Sequence, residues 1–138
     1  MLASLAYILA DTTTDPQHLV QAEHYARREL SVSESFRVPK WIAPEKWDRT
    51  RRKLGSKAHD ALGLIMYKQG DIESAILEFN KAVELAPSPD PAEYYRLGML
   101  YKAAGNKHQA IRELRHAANS KELAIRKLAQ RELEVLQQ

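Results

Sequence analysis

Residues 56–118 read SKAHDALGLIMYKQGDIESAILEFNKAVELAPSPDPAEYYRLGMLYKAAGNKHQAIRELRHAA, and this stretch decides the fold. Sliding it against itself by 35 residues superposes Leu62-Gly63 on Leu97-Gly98, Gly70 on Gly105, Ala75-Ile76 on Ala110-Ile111, Glu78 on Glu113 and Ala82 on Ala117. The matches fall where helices touch and where they turn. A small residue sits where two helices cross, a glycine where the first helix ends, and alanines recur along one face of the second. Asp71 and Asn106 each follow a glycine and are placed to cap the second helix of their unit. Asp90-Pro91 sets an N-cap before a proline at the first helical position. Each unit therefore reads as helix, tight turn, helix, over about 56–69 and 71–86, then about 91–104 and 107–118. No segment sustains the two-residue alternation of a half-buried strand, so the fold class is all-α.

Outward from this pair, Ser120 to Gln138 opens with a serine placed to cap and spaces Ile125, Leu128, Ala129, Leu133 and Leu136 on one helical stripe. It reads as a helix capping the array, polar on its outer side. Towards the front, the apolar positions Trp47, Leu54, Ala58, Ala61, Leu62 and Ile65 keep helical spacing through Gly55. They predict one extended helix from about Pro44 to Gln69, with Gly55 costing about 1 kcal/mol against alanine. Leu2, Leu5, Ala6, Ile8 and Leu9, then Leu19, Ala22, Ala26 and Leu30 after Asp15-Pro16, resemble a worn copy of the hairpin over 1–30. Between them lies an insert, Ser31 to Ala43, which is rich in serine but carries Phe36, Val38, Trp41 and Ile42. Exposing these side chains together is unfavourable, so the insert is expected to fold back and bridge the first hairpin and the long helix.

With 138 residues the chain has room for one domain built as a short repeat array, 1–138. Its 21 basic and 18 acidic residues leave a net charge of +3, too small for a global field to name a partner. Hydrophobic content of 44% argues against disorder. The absence of cysteine removes disulfides, thiolate metal sites and cysteine nucleophiles. The apolar run Met1 to Ala10 is far shorter than the roughly 20 residues of a membrane span and lacks the basic flank of a signal peptide, so it reads as a core helix. The expectation is a soluble protein; a cysteine-free chain survives in either redox environment, which leaves the compartment open, with the cytoplasm favoured over the periplasm.

The two central units resemble tetratricopeptide repeats, whose pattern is W-x2-L-G-x2-Y, A-x3-F and a closing proline. The first supplies Leu62-Gly63, Ala75, Phe79, Ala82 and Pro87, and the second Leu97-Gly98-Met99-Leu100-Tyr101, Ala110 and Ala117. His59 and Tyr94 stand in place of tryptophan, Met66 in place of the first tyrosine and Leu114 in place of the phenylalanine, and the second unit lacks the proline. The unit is one residue longer than the family's usual length of about 34, and the Ser88-Pro89-Asp90-Pro91 turn is where an insertion is tolerated best. The resemblance implies an α-solenoid of antiparallel hairpins in a right-handed superhelical stack. It also implies a non-enzymatic scaffold that holds a peptide or partner helix in a concave groove lined by the first helix of each hairpin.

Chemistry in the sequence agrees with a non-catalytic reading. His18, His24, His59, His108 and His116 include no i, i+4 pair with an intervening glutamate, and no glycine-rich phosphate loop follows a strand. No catalytic residues, metal ligands or cofactor are expected, nor a small-molecule substrate. The groove positions follow from the repeat register: Lys57, Asp60, Leu64, Tyr67 and Lys68 in the first unit, and Ala92, Tyr95, Met99, Lys102 and Ala103 in the second. Tyrosines and apolar side chains would anchor a partner and lysines would take its acidic groups, although Leu64 and Met99 are equally placed to complete the hairpin core. Some relatives of the implied family grip a chaperone's terminal carboxylate with lysines and asparagines. Lys57 matches one such lysine, but Ala61 and Arg96 stand where asparagines are needed, so that specificity does not carry over.

The run Arg49-Thr50-Arg51-Arg52-Lys53, with Lys57 beyond it, offers an alternative as a nucleic-acid or anionic-surface binder. Against it stands a solvated helix face, with Glu45 and Asp48 at i, i+4 spacing to Arg49 and Arg52. A further alternative is structural, as a self-associating piece of a longer array.

Overall fold

A computed structural model describes all 138 residues and contains seven helices and no strand. They are α1 (Leu2–Thr12), α2 (Pro16–Ser35), α3 (Pro44–Lys68), α4 (Ile72–Leu85), α5 (Pro91–Ala103), α6 (Lys107–Ala118) and α7 (Leu123–Gln137). They form two compact units, residues 1–87 and residues 88–138.

In the first unit, α3 and α4 form a hairpin whose turn is set by Gly70 at φ +83°, a left-handed conformation that glycine adopts without penalty. Asp71 Oδ1 then accepts the Ser74 N–H at 3.0 Å and caps α4. Gly63 lets the helices close: a Cβ built there would lie 2.8 Å from the Phe79 ring. Leu62 and Ile65, fully buried, form the core that α3 shares with the α1–α2 hairpin, each contributing about 1.5–3 kcal/mol by burial. Gly55 also has a positive role. It is buried, and its missing side chain admits Leu85, whose Cδ1 would stand 3.1 Å from an added Cβ.

The second unit repeats these devices. Gly105 turns at φ +77°, Asn106 Oδ1 accepts the Gln109 N–H at 3.2 Å, and Gly98 would place a Cβ 2.6 Å from Leu114 Cγ. The capping helix α7 closes the unit through Ala129, which shares a core cluster with Leu114 and Ala117. It starts at Leu123, later than the serine suggests: Ser120 Oγ accepts the Glu122 N–H at 3.0 Å and shapes the approach to the helix.

The insert differs from expectation in extent and in packing. Helix α2 continues through Ser35, its serines returning their hydroxyls to carbonyls of the preceding turn (Ser33 Oγ to Leu30, Ser35 Oγ to Ser31, both 2.8 Å). Only residues 36–43 remain as a connection. Phe36 does reach α3, its ring centroid 5.0 Å from that of Trp47, but Trp41 is 86% exposed and Val38 is also exposed. The folded-back bridge is therefore not formed. A connection this short is consumed in passing from one helix to the next, and its tip turns outward.

Candidate functional site

Five of the sequence-derived groove residues lie on α3, where positions 57, 60, 64 and 67 share one face by helical spacing. Lys57 is exposed, Tyr67 is 51% exposed and Asp60 is partly buried. Leu64 packs against the cluster of Ala10, Leu19, Ala22 and Ile65, so it closes the core towards the first hairpin. Lys68 is committed as well: its Nζ donates to the carbonyls of Asp11 at 2.8 Å and Thr13 at 3.0 Å. A cation at these carbonyls satisfies the acceptors left open where α1 ends and suits the negative end of that helix. The open members of the stripe are thus Lys57 and Tyr67, with Asp60 between them.

On α5 the corresponding set serves its own unit more heavily. Tyr95 packs against the cluster that holds α7, and Lys102 Nζ meets Glu132 Oε2 of α7 at 2.6 Å. Met99 is partly buried. The α6–α7 core and the capping helix thereby take up two side chains that the repeat register assigned to the groove.

Behind the stripe, each repeat places a polar trio at the crossing of its two helices, and the members match under the 35-residue shift. In the first, His59 Nδ1 lies 2.6 Å from Glu78 Oε2 and Lys81 Nζ lies 3.1 Å from Glu78 Oε1. The hydrogen bond from His59, joined by that from Lys81, holds the Glu78 carboxyl below the ordinary range although its burial pulls the other way. In the second, Tyr94, Glu113 and His116 occupy the same positions. Tyr94 stacks on His116 at 5.0 Å, and Glu113, 5% exposed, pairs with Arg112 at 2.8 Å. Burial, with Glu113 and Glu93 nearby, pushes the Tyr94 phenol above its ordinary range.

The basic run at the start of α3 does not pair as its spacing suggested. Asp48 meets Arg51 at 2.8 Å, one residue short of Arg52. Arg52 reaches across to α4, donating from Nη2 to the Glu84 carbonyl at 3.1 Å and from Nε to the Leu85 carbonyl at 3.3 Å. With Ser56 Oγ donating to the Ala82 carbonyl at 2.7 Å, it fastens the long helix to the end of α4. Spacing along one helix carries no signal of these links, since their acceptors are main-chain carbonyls of another element. An open depression lined by Pro44, Asp48, Arg49, Arg52 and Pro87 lies beside them. No group of three or more His, Asp or Glu is arranged to hold a metal ion.

Family models of the tetratricopeptide repeat match residues 56–89 and 94–122, in register with the two glycine-crossed hairpins. Residues 56–122 thus carry two tetratricopeptide repeats. The fold class is accordingly the α-solenoid of helical hairpins, and protein–protein interaction is the general role such repeats support. Tetratricopeptide repeats are typically non-catalytic. No curated protein matches the chain. No helix is long and apolar enough to cross a membrane.

Proposed function

We propose that this tetratricopeptide-repeat chain is a non-catalytic interaction module. On this reading it binds a peptide or helix along α3, the first helix of the first repeat. The observation behind the reading is the unequal use of the two helices. On α3, Lys57 and the ring of Tyr67 stand open on a shared face, whereas on α5 Tyr95 packs into the core that α6 and α7 share and Lys102 is paired with Glu132 of α7. An aromatic ring and a lysine on one helical face suit a partner that offers an apolar side chain and a carboxylate about two to three turns apart. Asp60, Leu64 and Lys68 set the shape of the α3 surface, Leu64 and Lys68 by joining α3 to the first hairpin.

The test begins with affinity capture by the full chain and identification of the recovered protein by mass spectrometry, followed by titration of that protein. Tyr67→Ala should weaken binding by more than about fivefold, as loss of an aromatic hot spot typically does, with helical content unchanged. Equal affinity for parent and variant would move the site away from α3.

A further inference from the structure

The positive charge of this chain is concentrated in one place. Residues 36–57 hold eight lysines and arginines against two acids, while the whole chain holds 21 against 18, so everything outside that segment is net acidic. At the head of the segment the Ile42 N–H donates to the Pro39 carbonyl at 3.0 Å and closes a tight turn with Lys40 and Trp41 at its apex. Trp41 is 86% exposed, and Phe36 (49%) and Val38 (37%) flank it. The Phe36–Trp47 ring contact fixes the base of the turn on α3. Arg37 and Lys40 beside it, and Lys46, Arg49 and Lys53 along the first turns of α3, are exposed.

We propose that this turn is a peripheral membrane anchor, with Trp41 and Val38 entering the interfacial layer of an anionic bilayer above the Phe36 base while the cations of the segment bind lipid headgroups. The chemistry favours lipid over other anionic partners. A tryptophan at the apex of a turn is a wedge, which matches a deformable interface better than a protein pocket, and tryptophan partitions to the headgroup level of bilayers. Val38 has no ring to stack on a nucleic-acid base, whereas in a bilayer it adds buried apolar area. A small apolar insertion and a basic cluster acting together are the two components such surface attachment needs.

The experiment uses the full chain carrying Trp47→Phe, so that Trp41 is the sole tryptophan, titrated with phosphatidylcholine vesicles and with vesicles containing 30 mole per cent phosphatidylserine. The expected result is partitioning to the anionic vesicles alone, accompanied by a blue shift and loss of acrylamide quenching of Trp41. Each cation near such a surface contributes about fivefold in partitioning, so Arg37→Gln with Lys40→Gln should reduce it by about 25-fold. Removing two exposed cations elsewhere, Arg115→Gln with Lys127→Gln, should reduce it far less. Equal loss in both double variants, partitioning without a change at Trp41, or no partitioning would overturn the proposal. Tighter binding of a single-stranded oligonucleotide that quenches Trp41 would overturn it in favour of nucleic acid. If Trp47→Phe lowers helical content, the difference in emission between the parent and Trp41→Phe gives the same reading.

Discussion

The two tetratricopeptide repeats of this chain are built alike and finished differently. Within each hairpin the parts agree closely: a glycine at the crossing, a left-handed glycine at the turn, and an Asp or Asn capping the second helix. What surrounds the hairpins does not agree. Helix α3 is 25 residues long, rests on the α1–α2 hairpin and is tied to it by Lys68, whereas α5 has 13 residues and meets α7 through Tyr95 and Lys102. The repeat pattern thus governs how a hairpin closes on itself, and the flanking helices govern which side chains of its first helix stay exposed.

The largest effect that can separate the two hairpins lies at their crossings. At Gly98 an added Cβ meets both the Leu114 side chain at 2.6 Å and its backbone nitrogen at 3.3 Å, whereas at Gly63 the nearest clash, at 2.8 Å, is with the Phe79 ring. Gly98→Leu should destabilise by about 3 kcal/mol and Gly63→Leu by about 2 kcal/mol, measured by denaturant titration. A reversed order would show that the ring yields less readily than the backbone.

At the turns the repeats should instead behave alike. Gly70→Ala and Gly105→Ala each force a side chain into the left-handed region, with no crowding at either site, and should cost about 1–2 kcal/mol apiece. A difference between them larger than that range would break the equivalence of the two turns.

The ties to the flanking helices come next. Lys68→Met removes a charged donor from the carbonyls of Asp11 and Thr13, and Lys102→Met leaves Glu132 unpaired. Each should cost about 1 kcal/mol after allowance for partial exposure. Hydrogen exchange locates the two effects: faster exchange in α1 for the first, and in α7 for the second.

The smallest differences are in pH response. Glu78 is held below its ordinary range in the folded chain, so the unfolded chain binds the extra proton, and the stabilisation is present above that range and fades as pH falls through it. Tyr94 is pushed up, so its contribution is present below the ordinary tyrosine range and fades as pH rises beyond it. Glu78→Gln should flatten the acid limb of a stability profile and Tyr94→Phe the alkaline limb. Were either substitution to move the opposite limb, the matched polar positions would have been paired wrongly.

The parts of the molecule set by short-range geometry could be read directly from the chain. Glycines, N-caps and alanines at fixed spacing report on backbone conformation and on the separation of helices within a hairpin, and both are local properties. Three features could not be read this way. Serine disfavours helix interiors on average, yet Ser33 and Ser35 extend α2 by bonding back to the preceding turn. Arg52 and Lys68 find main-chain carbonyls 32 and 57 positions away in sequence, and an acceptor carried by every residue has no signature. Trp41 was expected to be buried because of its hydrophobicity, but the extension of α2 left a connection too short to fold it back. Of the groove positions, Lys57 and Tyr67 stay open, while Leu64, Lys68, Tyr95 and Lys102 are drawn inward by helices outside the repeat itself.

The most direct measurement is a paired titration, with the captured partner, of Tyr67→Ala with Lys57→Glu on α3 and of Met99→Ala on α5. The α3 double variant should lose more than about fivefold in affinity, while Met99→Ala should stay within about twofold of the parent, as a side chain outside the hot spot should, and both should keep full helical content. Equal affinity of the α3 variant and the parent, or a larger loss at Met99, would contradict a binding site on α3.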